Sequence, residues 1–224
     1  MTSSSTVPLR DGGTVDRVTV RVWEGRAGDG PVVLLAHGAG SSLRHAVHLA
    51  VCEAVAAAGP TTVSFNFGYA EAQRRSPDRM PRVLDCFRDV LAWTRSEFPG
   101  RAVVTGGRSM GGRAASLLEA AQPSVAGLVL LNYPLVGVRG GDPRTQHWPD
   151  LAVPVLFVHG TRDRLMPLEL LDTALPLLSH AAVTVHVIDG ADHSFGVPRS
   201  TGRAPADVYR EVGEATARWL QGLA

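Results

Sequence analysis

Short runs of apolar residues alternate along the chain with longer segments whose apolar positions recur every three or four residues. Residues 17–23, 32–36, 62–67, 102–105, 127–131, 155–159 and 183–188 carry the short runs and are expected as strands. The first alternates Val18, Val20 and Val22 with Arg17, Thr19 and Arg21, the pattern of a half-exposed edge strand. The run 32–36 has no polar residue, as a strand covered on both faces would have none. An antiparallel edge joined to a parallel centre follows. Between strands, Val83, Leu84, Phe87, Val90, Leu91 and Thr94 share one helical face, with Pro81 near its start and Pro99-Gly100 at its stop. Residues 45–58, closed by Gly59-Pro60, are expected as a helix on the same grounds. So is the segment after Pro205, where Val208, Val212, Ala215 and Trp219 form one stripe. The rhythm predicts an α/β fold with a mostly parallel central sheet of about seven or eight strands and helices on both faces.

The 224 residues fit one domain, expected over 17–224, behind a polar, serine-rich tail over 1–16 expected to be flexible. Lys plus Arg number 22 against 21 Asp plus Glu, so no bulk charge calls for nucleic acid or an anionic membrane as partner. Small, uncharged or mildly polar ligands fit better, and the chain is expected as a monomer or homodimer. The first residues lack the basic start and apolar run of a secretory signal, and no apolar stretch is long enough to span a bilayer, so a cytoplasmic location is expected. Cys52 and Cys86 fall in helical segments and are expected as buried thiols without a chemical role. No group of His, Cys, Asp or Glu shows metal-ligand spacing.

Chemistry concentrates in Gly106-Gly107-Arg108-Ser109-Met110-Gly111-Gly112, which joins Val103-Val104-Thr105 to the alanine-rich segment 113–121. Ser109 therefore sits where a strand turns sharply into a helix, the outline of a nucleophile elbow. Two rival uses of a glycine-rich turn fail. A phosphate-binding loop needs Lys and then Ser or Thr after the last glycine, where the chain has Arg113 and Ala114. The dinucleotide fingerprint is absent, because Arg108 and Ser109 stand two residues after Gly106 and Gly107.

A nucleophilic serine needs a histidine within hydrogen-bond reach and a carboxylate that orients it. His193 follows the last expected strand and precedes the final helix, on the same sheet edge as Ser109, and is the best of eight histidines. Asp163, in the turn Gly160-Thr161-Arg162-Asp163, completes the chain order Ser, Asp, His, with Asp189 and Asp192 as alternatives. His37 opens His37-Gly38-Ala39-Gly40 after an early strand, where a turn can present a backbone N–H toward the serine. Its ring is expected to organise that loop. His45, His48, His180 and His186 have no paired motif, and His147 lies alone in a long loop.

With these motifs in this order, the chain resembles the α/β-hydrolase superfamily from about Val18 to its end. Phe65-Asn66-Phe67, Asn132-Tyr133-Pro134-Leu135 and the segment 154–163 look like a small lidless subgroup of dienelactone-hydrolase-like proteins and predicted serine hydrolases. The nucleophile of dienelactone hydrolase itself is a cysteine, so its substrate does not carry over to Ser109. The resemblance implies Ser109 as nucleophile, Asp163 as acid, His193 as base and the N–H groups of Met110 and Ala39 as oxyanion donors. It implies no cofactor and a small ester or thioester as substrate.

About twenty residues separate the strands at 131 and 155, too few for a large cap domain. The pocket is then expected to be open, with His37, Gly38, Gly40, Phe67, Tyr133 and Phe195 as substrate-contacting candidates. The charged loops 68–80 and 136–150 could rim it, with Arg74 and Arg75 placed to meet a substrate carboxylate. A binding module that keeps the fold without turnover, and an acyltransferase using the same triad, are the alternatives.

Overall fold

The structure, a computed structural model, describes residues 1–10, 13, 15–26, 28 and 30–223. Eight strands form one sheet: β1 Thr2–Pro8, β2 Arg17–Trp23, β3 Val32–Ala36, β4 Thr61–Phe65, β5 Val103–Arg108, β6 Gly127–Leu131, β7 Val155–Gly160 and β8 Val183–Ile188. Their order is β1-β2-β4-β3-β5-β6-β7-β8, antiparallel between β1, β2 and β4 and parallel from there to β8. All parallel strands therefore end at one edge, and the turns that follow them meet there.

The central strands bury both faces, which is why β3 and β6 read as unbroken apolar runs. Along β3, Val32, Leu34 and Ala36 face one core and Val33 and Leu35 the other. The first core packs against α3 Met80–Glu97, α4 Met110–Ala121 and α5 Leu168–Ala174, through residues such as Phe87, Leu118 and Leu171. Phe87 is fully buried with Phe65 and Phe67 around it, and such burial contributes about 2–3 kcal/mol. The second core packs against α1 Ala46–Ala57 and α6 Pro205–Gln221, through Val51, Val55, Val208 and Val212. The single domain has no cap: between β6 and β7 the chain makes only a one-turn 3-10 helix, Trp148–Asp150. Trp148 pins that loop by packing fully buried between Tyr133 and Phe157.

The N-terminus departs from expectation. Instead of a tail over 1–16, Thr2–Pro8 pairs with β2 over seven residues, so β2 is not the edge strand. Only Val7 of β1 enters the core. The strand is held by ladder hydrogen bonds rather than by apolar burial, and hydrophobic periodicity is blind to such a strand. The Arg10 guanidinium then ties the segment to Asp89 of α3 at 3.0 Å. Residues 11, 12 and 14 of the expected tail lie outside the described residues. The loop 68–80 holds a short helix, α2 Gly68–Glu71. No helix among the described residues is long and apolar enough to cross a membrane.

Candidate active site

Ser109 occupies the turn between β5 and α4 with φ 53 and ψ −116, a conformation that costs a non-glycine residue on the order of 1–3 kcal/mol. The close approach of three backbones maintains it. A Cβ at Gly107 or at Gly111 would fall 2.3 Å from the Ala36 carbonyl oxygen, so both glycines of the motif are needed for the elbow to lie against β3. The Ser109 amide donates to Leu131 O at 2.9 Å, which anchors the turn to β6.

The three residues expected as nucleophile, base and acid lie within hydrogen-bond distance of one another. His193 Nε2 is 2.9 Å from Ser109 Oγ, and His193 Nδ1 is 2.9 and 2.8 Å from the two Asp163 carboxylate oxygens. The carboxylate selects the tautomer with its proton on Nδ1, leaving the Nε2 lone pair to accept from the serine hydroxyl. Asp163 Oδ1 also accepts the Leu165 amide at 2.9 Å, and its side chain is shut away from solvent while that of His193 is 26% exposed. The other two carboxylates are used differently. Asp189 meets Thr161 Oγ1 at 3.4 Å, and Asp192 Oδ1 accepts the amides of Ser194 and Gly196 at 2.8 and 2.9 Å, folding the loop that presents His193.

The loop after β3 lies directly against Ser109: a Cβ on Gly38 would be 3.5 Å from Ser109 Cβ. Ala39 and Gly40 are exposed beyond it, and Met110, half-buried, is the first residue of α4, ahead of the helical hydrogen-bond ladder. His37 is fully buried. Its Nε2 accepts the Phe67 amide at 3.2 Å, so Nδ1 carries the proton and donates to Gly38 O at 2.9 Å. Burial holds the ring neutral and lowers its pKa to about 4. His37 thus organises the loop, and as an expected substrate contact it is corrected.

Phe67, Tyr133 and Phe195 are corrected in the same way. All three are fully buried: Phe67 packs 5.0 Å from the His37 ring, Tyr133 donates its hydroxyl to Arg144 O at 3.0 Å, and Phe195 sits in the core beneath α1 and α6. Large rings beside a motif gain more by supporting the loops from below than by facing solvent. Arg74 pairs with Asp78 at 2.5 Å. Gly40, Ser41, Arg44, His45, Arg74 and Arg75 line part of a cavity of about 460 Å³ beside the loop. His147 is 2.8 Å from Ser116 Oγ and docks its own loop on α4.

Two residues of the site had no sequence signal of their own. Asn132, fully buried just after β6 with φ 45, donates from Nδ2 to His193 O at 3.0 Å. Arg108, next to Ser109 and 8% exposed, reaches the same carbonyl with Nη1 at 3.5 Å, and burial lowers its pKa. In the sequence each appears only inside a motif, Arg108 in the glycine-rich turn and Asn132 at the head of Asn132-Tyr133-Pro134-Leu135, and neither motif says what the side chain bonds.

A sheet with this crossover order, a strained serine at a strand-to-helix elbow and a serine-histidine-aspartate relay define the α/β serine hydrolase class. The model of the alpha/beta hydrolase domain matches residues 29–221, and the chain belongs to that family. It is similar to a dienelactone hydrolase from Anabaena variabilis, at 20% identity and TM-score 0.77, with 99% of this chain and 97% of that one covered. An alpha-beta serine hydrolase homologue from Coxiella burnetii shares 19% identity at TM-score 0.74, with 96% of each chain covered. A serine hydrolase without lid from Xanthomonas campestris shares 20% identity at TM-score 0.70, covering 97% of this chain and 94% of that one. These likenesses agree on the α/β hydrolase fold.

Proposed function

We propose that the protein hydrolyses carboxylic esters or thioesters of small to medium size through an acyl-enzyme. The hydrogen-bonded line from Asp163 through His193 to Ser109 carries this reading. Ser109 Oγ attacks the carbonyl carbon as its proton passes to His193 Nε2, and Asp163 stabilises the imidazolium that forms. The imidazolium returns the proton to the leaving alcohol or thiol. Water then attacks the acyl-enzyme with His193 as base, and the proton passes back to Ser109 as the acid departs. We assign the oxyanion to the N–H groups of Met110, the residue after Ser109, and of Ala39, in the loop after β3, each donor contributing about 3 kcal/mol. None of these steps calls on a cofactor.

The absence of a cap and the exposure of Ala39 and Gly40 favour short acyl groups over long chains. Purified protein should turn over p-nitrophenyl acetate, and Ser109→Ala should abolish that turnover without changing the unfolding transition. Turnover retained by Ser109→Ala would overturn the mechanism. Esters and thioesters of increasing chain length then define the acyl group.

A further inference from the structure

We propose that Asn132 is a positioning residue for His193, fixing the catalytic base over Ser109 through a hydrogen bond to the base's own carbonyl. The inference rests on the serine hydrolase reading and adds to it a residue outside the triad.

His193 stands in the loop after β8, the strand at the far edge of the sheet, and the nucleophile stands at the centre. The loop is internally folded by Asp192, whose carboxylate caps Ser194 and Gly196, but those bonds fix only its shape. Its place relative to Ser109 needs contacts that cross the sheet edge. Asn132 supplies one. Its backbone amide donates to Val158 O at 2.8 Å, seating the residue between β6 and β7, and its Nδ2 reaches His193 O at 3.0 Å and Asp192 O at 3.5 Å. The Ser109 amide donates to Leu131 O, the residue before Asn132, so nucleophile and base hang from adjacent residues of the chain.

Asn132 shows the marks of a residue held for this contact. It is fully buried and keeps φ 45, a left-handed conformation that asparagine tolerates better than most residues and glycine tolerates without cost. Its Oδ1 is buried without a partner, so the side chain directs its hydrogen bonding wholly to the His193 loop. The opposite amide orientation would set Oδ1 against two carbonyl oxygens, which fixes which end donates. The Arg108 guanidinium approaches the same His193 carbonyl from the nucleophile's side, with Nη1 at 3.5 Å and Nε without a partner. The carbonyl of the base is thus approached by donors from the ends of both β5 and β6.

The test is a pair of variants. Asn132→Gly accepts the backbone conformation and removes the donor, and Asn132→Asp keeps the shape and sets an acceptor against the carbonyl. Both should lower kcat for p-nitrophenyl acetate by about 10- to 100-fold, because a base displaced by about an ångström loses that much. KM should change little, and kcat is to be referred to sites titrated with a fluorophosphonate so that unfolded protein is not counted. A purely structural role predicts a lowered unfolding midpoint with kcat per titrated site unchanged, and that result would overturn the proposal. A second readout does not depend on turnover: the downfield proton resonance of His193 Nδ1–H against Asp163 should be present in the wild type and broadened or lost in both variants. If the wild type neither turns over ester nor labels, the hydrolase reading fails, and the resonance alone decides whether Asn132 positions the ring. A resonance unchanged in both variants would reject the positioning role.

Discussion

The elbow at Ser109 and the loops that serve it are held by different forces. Around the elbow, backbones of β3, β5 and α4 approach so closely that only glycine fits, and the serine's strained φ is the result. The loop of His193 and the loop of His37 are held by side-chain hydrogen bonds: Asp192 to two amides, Asn132 to His193 O, and His37 between Gly38 O and the Phe67 amide. Sterics are indifferent to pH and intolerant of a single methyl group. Hydrogen bonds from titratable or polar side chains can be weakened in steps. Ser109 is therefore fixed rigidly, and the loops of His193 and His37 are placed by contacts that can be tuned separately.

The largest effect should come from the elbow. A Cβ at Gly106 would lie 1.9 Å from the Val129 carbonyl oxygen, a backbone atom that cannot move without parting β5 from β6. Gly106→Ala should cost about 4 kcal/mol or more, read as a collapse of the urea midpoint or loss of folded protein. A variant of near-normal stability would show that the elbow is not fixed by close packing.

An intermediate effect should come from acid. The folded chain holds His37 neutral with a pKa lowered to about 4, chiefly by burial, against an ordinary 6.5, and burial lowers that of His48 as well. Between these pH values the unfolded chain takes up a proton that the folded chain refuses. Stability is therefore full above about pH 6.5 and declines as pH falls toward 4, by about 3 kcal/mol for His37 alone. Urea midpoints measured from pH 7 to 4 should fall accordingly, and His37→Gln, which cannot titrate, should flatten the slope. An equally steep slope in that variant would remove His37 from the account.

The smallest effect belongs to Asp192→Ala, which leaves the Ser194 and Gly196 amides free to meet water. It should cost about 1 kcal/mol of stability and lower kcat by less than about tenfold. A loss as large as that expected for Asp163→Asn, on the order of 10⁴-fold, would mean that Asp192 shares the orienting role.

The same division explains what could be read from the chain. Steric requirements leave a mark on the sequence, because only glycine meets them: Gly107 and Gly111 flank Ser109 at fixed spacing, and the elbow was legible. β3 and β6 were legible because burial on both faces leaves them no polar residue, and the order Ser109, Asp163, His193 followed from where the parallel strands end. β1 escaped because a strand with one buried side chain has no apolar period. Phe67, Tyr133 and Phe195 were assigned to the pocket because proximity in sequence to a motif does not tell which way a ring turns, and burial turned all three inward. Asn132 was seen only as part of a resemblance. Its partner is a backbone carbonyl 61 residues away, and a bond to backbone imposes nothing on the residue that accepts it.

The most direct test of the central claim is stoichiometric labelling with a fluorophosphonate, mapped by mass spectrometry of the digested protein. An activated Ser109 predicts one equivalent of label on that residue, lost in His193→Ala and after heat denaturation. Folded wild-type protein that takes up no label, or takes it up elsewhere, would contradict the assignment of Ser109 as the nucleophile.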